Sequence, residues 1–386
     1  MIKTGIATFT LDTGKCPRWL FERMVKLASQ VIEVIVDEYG PDEFIARVSD
    51  PVWFQSLGTV LAFDWNASGL TTVLTASLKE AIKGREKHLG IFICGGKGKT
   101  SLKTPEEITN WGEKIYLPAS CVKELVYDSK IAAKIDSGLI QDGYDLYHHT
   151  FFFSKNGVWA VVQQGMNQRN ITARRYHWFS EKISDFVCEP HAGIISHIKA
   201  PCLNMTAKES EQNRKISTEL VQTGYSGLMK DIQILRKHSG DVSRMVAFKH
   251  HQQEFVFAEF ANIEFYYHPV IEEDFSRSKY LEKILARVCE YKPQTYKGLI
   301  GIKGVGAKTI RALSLVSELI YGAPASYKDP ARYSFAHGGK DGTPYPVDKN
   351  TYDGTISFFI KIVGRIKTSP SEKNAMIKRI EQLSKF

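Results

Sequence analysis

The sequence predicts an α+β protein, with a mixed α/β domain over residues 1–270 and an all-α domain over 271–386. Three observations carry this prediction. Short apolar runs and amphipathic stretches with helical spacing alternate up to about residue 265, and from Ser278 onward helical periodicity takes over. A chain of 386 residues, 43% apolar and 24% charged, is long enough for two sizeable cores. The charge is also divided: Lys279 to Phe386 holds 19 Lys and Arg against 9 Asp and Glu, net +10, whereas the first 278 residues hold 32 against 33. A basic excess confined to one end is what a polyanion-binding module needs.

In chain order, Gly5 to Thr10 reads as a strand. Pro17 then introduces a helix with apolar positions at Leu20, Met24, Leu27, Val31 and Ile35, stopped by Gly40. Asp64 in FDWNASG, ahead of Ser68, Thr71 and Thr72, reads as an N-cap or a ligand, with the cap favoured. Residues 91–94, IFIC, form a buried strand entering a glycine-rich loop. Gly98-Lys99-Thr100 ends like a P-loop, but Ile93 stands where its first glycine belongs, so the loop offers phosphate contacts through Lys97 and Lys99 instead. Thr104-Pro105 starts a helix, with the threonine as its cap. Asn156-Gly157 predicts a hairpin closed by a type I′ turn, a register that sets His149 opposite Gln164 and Phe151 opposite Val162. A helix or helix pair follows over Ala207 to Lys237, then strands near Phe248 and over Phe255 to Phe265.

No run of about 18 apolar residues or signal peptide appears, which predicts a cytoplasmic protein without a membrane partner. The six cysteines are never closer than fourteen positions, which excludes CxxC metal and cluster motifs and predicts buried free thiols. Candidate chemistry in the first domain gathers in His148, His149, Gln164, Arg174, Arg175, His177, Glu189 and His191. The arginines suit phosphate, and the histidines and Glu189 suit general base catalysis or a divalent metal of unspecified identity.

The tail carries the sharper motif. In YKGLIGIKGVGAKTIRALSLVSEL, an apolar helix meets the turn Lys303-Gly304-Val305-Gly306 and a second helix begins near Ala307, with Leu299, Ile302, Val305, Leu313 and Val316 as the seam. Glycines let this backbone approach a phosphate while the first amides of the second helix point at the anion. The segment 298–313 resembles the helix-hairpin-helix of DNA repair proteins. Residues 304–309 with Pro346-Val347-Asp348 resemble glycosylases of the endonuclease III superfamily. That resemblance implies DNA as partner, contacts from Lys303, Gly304, Val305, Gly306, Thr309 and Arg311, a monovalent cation at the hairpin, and Lys308 either as Schiff-base lysine assisted by Asp348 or, as in hairpins of this kind that only bind DNA, as a phosphate contact. Separately, the loop His337–Gly342 reads as a phosphate-contacting loop through Lys340 or as a tight turn. Here 40 positions separate those two residues, Ile310 replaces the common alanine, and the cluster cysteines are absent. The stretches LFERMVKLA, FDWNASG, CGGKGK, YHHTFF, VVQQGMN, ARRYHW, EPH and HGGKDGTPYPVD also resemble an uncharacterised family of archaea and thermophilic bacteria. Three readings stay open: a glycosylase or lyase acting through Lys308, a metal nuclease centred on the N-terminal histidines, and a non-catalytic, nucleoid-associated DNA-binding accessory protein.

Overall fold

A chain whose central strands are apolar on both faces needs a covering layer on each side. The computed structural model describes residues 16–61, 67–196, 198–242, 247–250, 253–256, 279–331 and 349–383. Four helices come first, α1 (Arg18–Tyr39), α2 (Pro41–Ser49), α3 (Pro51–Val60) and α4 (Ala67–Ile82), then the short α5 (Glu86–Leu89), β1 (Ile91–Lys97), α6 (Thr104–Lys114) and α7 (Ala119–Gly138). Strands β2 (Ile140–Gln141), β3 (Asp145–Ser154), β4 (Trp159–Asn167), β5 (Thr172–Phe179), β6 (His191–Ile195) and β7 (Leu203–Asn204) follow. Next are α8 (Glu211–Thr223), α9 (Tyr225–Val242), the β8 (Ala247–His250) and β9 (Gln253–Val256) hairpin, α10 (Lys279–Tyr291), α11 (Tyr296–Gly301) and α12 (Ala307–Leu319). Helices α13 (Lys349–Arg365) and α14 (Pro370–Leu383) follow.

Five strands form an antiparallel sheet in the order β1-β3-β4-β5-β6. On one face Phe92, Cys94, Phe151, Phe153, Val161 and Trp178 join a core with side chains of α7 and α8 to α12. On the other, Ile91, Ile93, Phe152, Ala160, Val162 and Phe179 meet α1 to α4 together with α13 and α14. The run Phe151-Phe152-Phe153 is therefore buried throughout, at about 1.5–3 kcal/mol of hydrophobic stabilisation per ring. Mixed helix and sheet is the α+β class expected. The first core unites residues 92 to 232 with residues 281 to 316, so it draws side chains from both sides of residue 270.

The helix expected after Pro17 is α1, with Leu20, Met24, Val31 and Ile35 buried and Gly40 at its end. The apolar seam of the tail forms as well, with Leu299, Val305, Leu313 and Val316 buried. All six cysteines are free; Cys94, Cys202 and Cys289 are buried and the other three partly so.

Two local expectations are corrected. The 154–158 connection is a three-residue loop, Lys155-Asn156-Gly157, in which the Gly157 amide donates to the Ser154 carbonyl and Gly157 takes φ +88°. One extra loop residue shifts the register, so His149 pairs with Gln163, His148 with Gln164 and Phe151 with Val161. Because strand side chains alternate, that single step exchanges which glutamine shares a face with which histidine. Thr104 is likewise no cap: it lies inside α6 and its hydroxyl donates back to the Ser101 carbonyl, with Pro105 in the first turn. The expected strand at Gly5–Thr10, the residues 257–265, Asp64, Lys340 and Asp348 lie outside the described residues.

Candidate active site at the edge of the sheet

Helix α7 lays Leu125, Ala132 and Ile135 on the sheet, and the same face carries Ser129 and Asp136. A carboxylate forced into that interface must collect donors or be protonated. Asp136 is 0% exposed and collects three. Its Oδ2 accepts from Gln163 Nε2 at 2.6 Å and from Trp178 Nε1 at 3.0 Å, and its Oδ1 lies 2.5 Å from His191 Nε2.

The polarity of the network follows from this carboxylate. Gln163 must turn its amide nitrogen toward Asp136, which leaves its Oε1 to accept from His149 Nδ1 at 2.8 Å. Burial holds the His149 imidazole below the usual histidine range, against the opposing pull of Gln163 and Asp136. A neutral ring that donates through Nδ1 accepts through Nε2, so the Ser129 hydroxyl donates there at 2.8 Å. A directed chain thus runs Ser129, His149, Gln163, Asp136, and His191 closes it from the other side.

His191 begins β6, the edge strand, and its side chain is 7% exposed. With Nε2 donating to Asp136, the neutral form of the ring would carry its lone pair on Nδ1, which has no hydrogen-bond partner among the described residues. The ring lines a cleft of about 440 Å³ shared with Glu189, Thr206, Lys199, Lys328 and Asp329. Glu189 has φ +46°, an unusual conformation for a residue with a Cβ, held by its amide donating to the Thr206 carbonyl at 2.8 Å. A carboxylate-anchored imidazole that lines a cleft, its second nitrogen unpaired among the described residues, is the arrangement of a general base.

Arg174 holds Asp329, one of the residues that line this cleft. Its guanidinium, 1% exposed, meets Asp142 at 2.9 Å and grips Asp329 with both terminal nitrogens, at 3.0 and 2.7 Å. Asp142 also accepts from the Tyr176 hydroxyl at 2.7 Å, and burial nevertheless pushes its carboxyl up from the usual range. Arg175, 0% exposed, donates to Thr71 Oγ1 and Gln55 Oε1 and lies over the Phe54 ring. Phosphate contact by either arginine is therefore corrected: both guanidinium groups are sealed inside the protein.

The remaining expected residues divide. His148 and Gln164 sit on the opposite face of the sheet from His149, so the two adjacent histidines serve different layers. His177 is buried beside Phe54, and burial reinforced by Arg175 holds its ring well below the usual range. Among the described residues no group of three or more His, Cys, Asp or Glu side chains stands together to hold a metal ion. Thr309 and Val305 are buried, whereas Lys303, Lys308, Gly306, Lys97 and Lys99 are exposed. The turn after α11 is docked on α7: Lys134 Nζ donates to the carbonyls of Ile300 and Ile302, both at 2.8 Å, and Gln141 Nε2 to that of Ala307 at 3.0 Å. Arg311 donates to Gln141 Oε1 at 2.6 Å.

Asp136, Gln163, Ser129 and Trp178 are absent from the sequence candidates. A readable signal existed in α7, where Asp128, Ser129 and Asp136 interrupt an otherwise apolar stripe. A model of the family described as protein of unknown function (DUF763) matches residues 5–347. The chain belongs to this family. No curated protein and no solved structure matches it. DUF763 thus supplies membership over most of the chain and no assigned chemistry, so the reading of the site rests on its own geometry. Among the described residues no helix is long and apolar enough to cross a membrane.

The buried histidines make stability pH-dependent. Burial, with His149 and Lys97 nearby, drives His148 down to about 3, and His149 and His177 are lowered too. The unfolded chain binds protons at about pH 6.5 that the folded chain refuses, so stability is complete above that pH and falls as pH drops toward 3. His148 alone removes about 1.4 kcal/mol per pH unit within that window, and His149 and His177 act in the same direction. Urea midpoints measured between pH 7.5 and 5 should fall steadily, and a midpoint independent of pH there would contradict neutral buried rings.

Proposed function

We propose that this protein is a DNA-processing hydrolase of the repair type, in which His191, anchored by Asp136, takes the proton of an attacking water in the cleft beneath Glu189. The observation that carries the reading is the Asp136–His191 contact of 2.5 Å, on a ring that lines the cleft and whose Nδ1 has no hydrogen-bond partner among the described residues. Asp136 orients the ring and stabilises the imidazolium that forms, while Gln163 and Trp178 hold the carboxylate in place.

DNA as the substrate is supported by the net +10 of the tail and by the α11–α12 turn. Gly306 precedes α12, among the described residues no side chain caps its first amides, and Lys303 and Lys308 are exposed beside it. An amine that forms a Schiff base at neutral pH needs a pKa lowered by burial or neighbouring charge. Exposure of Lys308 therefore favours phosphate contact at that position over the lyase chemistry of the glycosylase resemblance.

Incubation of the full chain with single-stranded, nicked, abasic and lesion-bearing duplexes tests the reading. The expected result is a released base or a cut strand, with binding that weakens steeply between about 50 and 200 mM salt. Lys303→Glu with Lys308→Glu should lower the salt slope by about two. Salt-sensitive binding with no product on any substrate would favour a non-catalytic DNA-binding protein, and binding indifferent to salt would remove DNA from the account.

A further inference from the structure

The edge of the sheet opposite His191 carries a second cleft, of about 790 Å³, between α4, β1 and α6. The proposed reaction makes no use of it. His148 and Thr150 of β3 line it, and His148 is 1% exposed with Nε2 at 3.1 Å from Thr75 Oγ1 and 2.9 Å from Thr150 Oγ1. Thr75 sends its own proton to the Thr71 carbonyl at 2.9 Å, so its oxygen faces the ring as an acceptor and His148 Nε2 carries the ring proton. His148 Nδ1 is then a buried lone pair with no hydrogen-bond partner among the described residues. An orphaned acceptor at the lining of a cavity is a group that a ligand donor, or a water it holds, can satisfy.

The mouth of the cleft is built with equal definition. Gly95 takes φ +86°, and a Cβ there would run into the His149 carbonyl oxygen and Thr104 Oγ1, so only glycine fits. Its amide donates to Glu107 Oε2 at 2.8 Å and its carbonyl accepts from Lys79 Nζ at 3.0 Å, while Lys79 and Glu107 pair at 2.6 Å. That pair neutralises itself and fixes the turn. Gly96 and Gly98 continue with positive φ and present Lys97 and Thr100 to the opening. Lys97 lies 5.9 Å from the Tyr147 ring and Lys114 4.7 Å from the Trp111 ring, and neither makes an ion pair among the described residues. Of the lining carboxylates, Glu107 and Glu80 are tied to Lys79 and Lys83, which leaves Glu86 against two uncommitted cations.

We propose that this cleft binds a phosphorylated small molecule of nucleotide size, its phosphate held by Lys97, Lys114 and Thr100 and its polar body facing Thr72, Thr150 and His148 Nδ1. The volume lies inside the range of small-molecule sites, about 300–1,000 Å³. The mode is not that of a P-loop, because Gly98–Lys103 forms a short 3-10 turn in place of the first turn of an α-helix. The inference is independent of the hydrolase reading, since it uses neither His191 nor the α11–α12 turn.

Calorimetric titration of the full chain with ADP, AMP and inorganic pyrophosphate tests it. One saturable site is expected for ADP, weakened at least about tenfold by Lys97→Glu with Lys114→Glu and unchanged by His191→Ala. Should the double variant unfold, Thr100→Asp at the exposed mouth must produce the same loss. Absence of binding of all three ligands up to about 10 mM, or binding that survives both sets of substitutions, overturns the proposal.

Discussion

Replacing His191 by alanine should lower DNA hydrolysis by about 10²- to 10⁴-fold, the contribution of a positioned general base. The loss belongs in kcat, because the ring is assigned to the attacking water and not to the phosphate backbone. Asp136→Asn should reproduce most of it without emptying the core. The new amide could accept through only one oxygen, so its nitrogen would confront the donors His191, Gln163 or Trp178 and turn the ring from its working orientation. Turnover measured against substrate concentration separates the two effects: a rise in KM with kcat intact would place His191 in binding instead of proton transfer.

The second large effect concerns Arg174. Its guanidinium holds two buried carboxylates, Asp142 and Asp329, and through Asp329 it ties the Ser326–Ala331 segment to β5. Exposed pairs such as Lys208–Glu189, 3.7 Å apart with the lysine side chain 75% exposed, contribute about 0–1 kcal/mol, whereas breaking a buried pair costs about 3–5 kcal/mol. Arg174→Met should therefore destabilise the fold by about 3–5 kcal/mol in urea, and by more than either Asp142→Asn or Asp329→Asn. Lysine should not rescue it, because the bidentate grip on Asp329 needs two nitrogens in one plane. A loss below about 1 kcal/mol would show that the pair is solvated in solution.

Much of the fold was legible. The 3.6-residue spacing from Leu20 to Ile35 gives α1, the run IFIC gives β1, and the seam from Leu299 to Val316 gives the α11–α12 pair. Register was not legible, because Asn-Gly serves both two- and three-residue loops and both faces of β3 are apolar. With nothing polar to mark an outer face, alternation could not choose between Gln163 and Gln164. The site was half visible: His149, His191 and Glu189 stand out as residue types, but the link between the two histidines runs through Gln163 and Asp136, 55 positions before His191, and only the packing of α7 on the sheet joins them. Arg174 and Arg175 misled for a related reason. Arginine next to histidine suggests phosphate, and only the positions of Asp142 and Asp329 show that the Arg174 charge is consumed inside.

The most direct test sets His191→Ala beside Lys308→Ala on abasic and lesion-bearing duplexes, with borohydride present to trap any amine adduct. His191→Ala should still bind DNA but lose turnover, while Lys308→Ala should bind more weakly and turn over at saturating DNA, with no trapped complex in either background. A covalent adduct lost with Lys308→Ala, or full turnover by His191→Ala, would contradict the hydrolase reading.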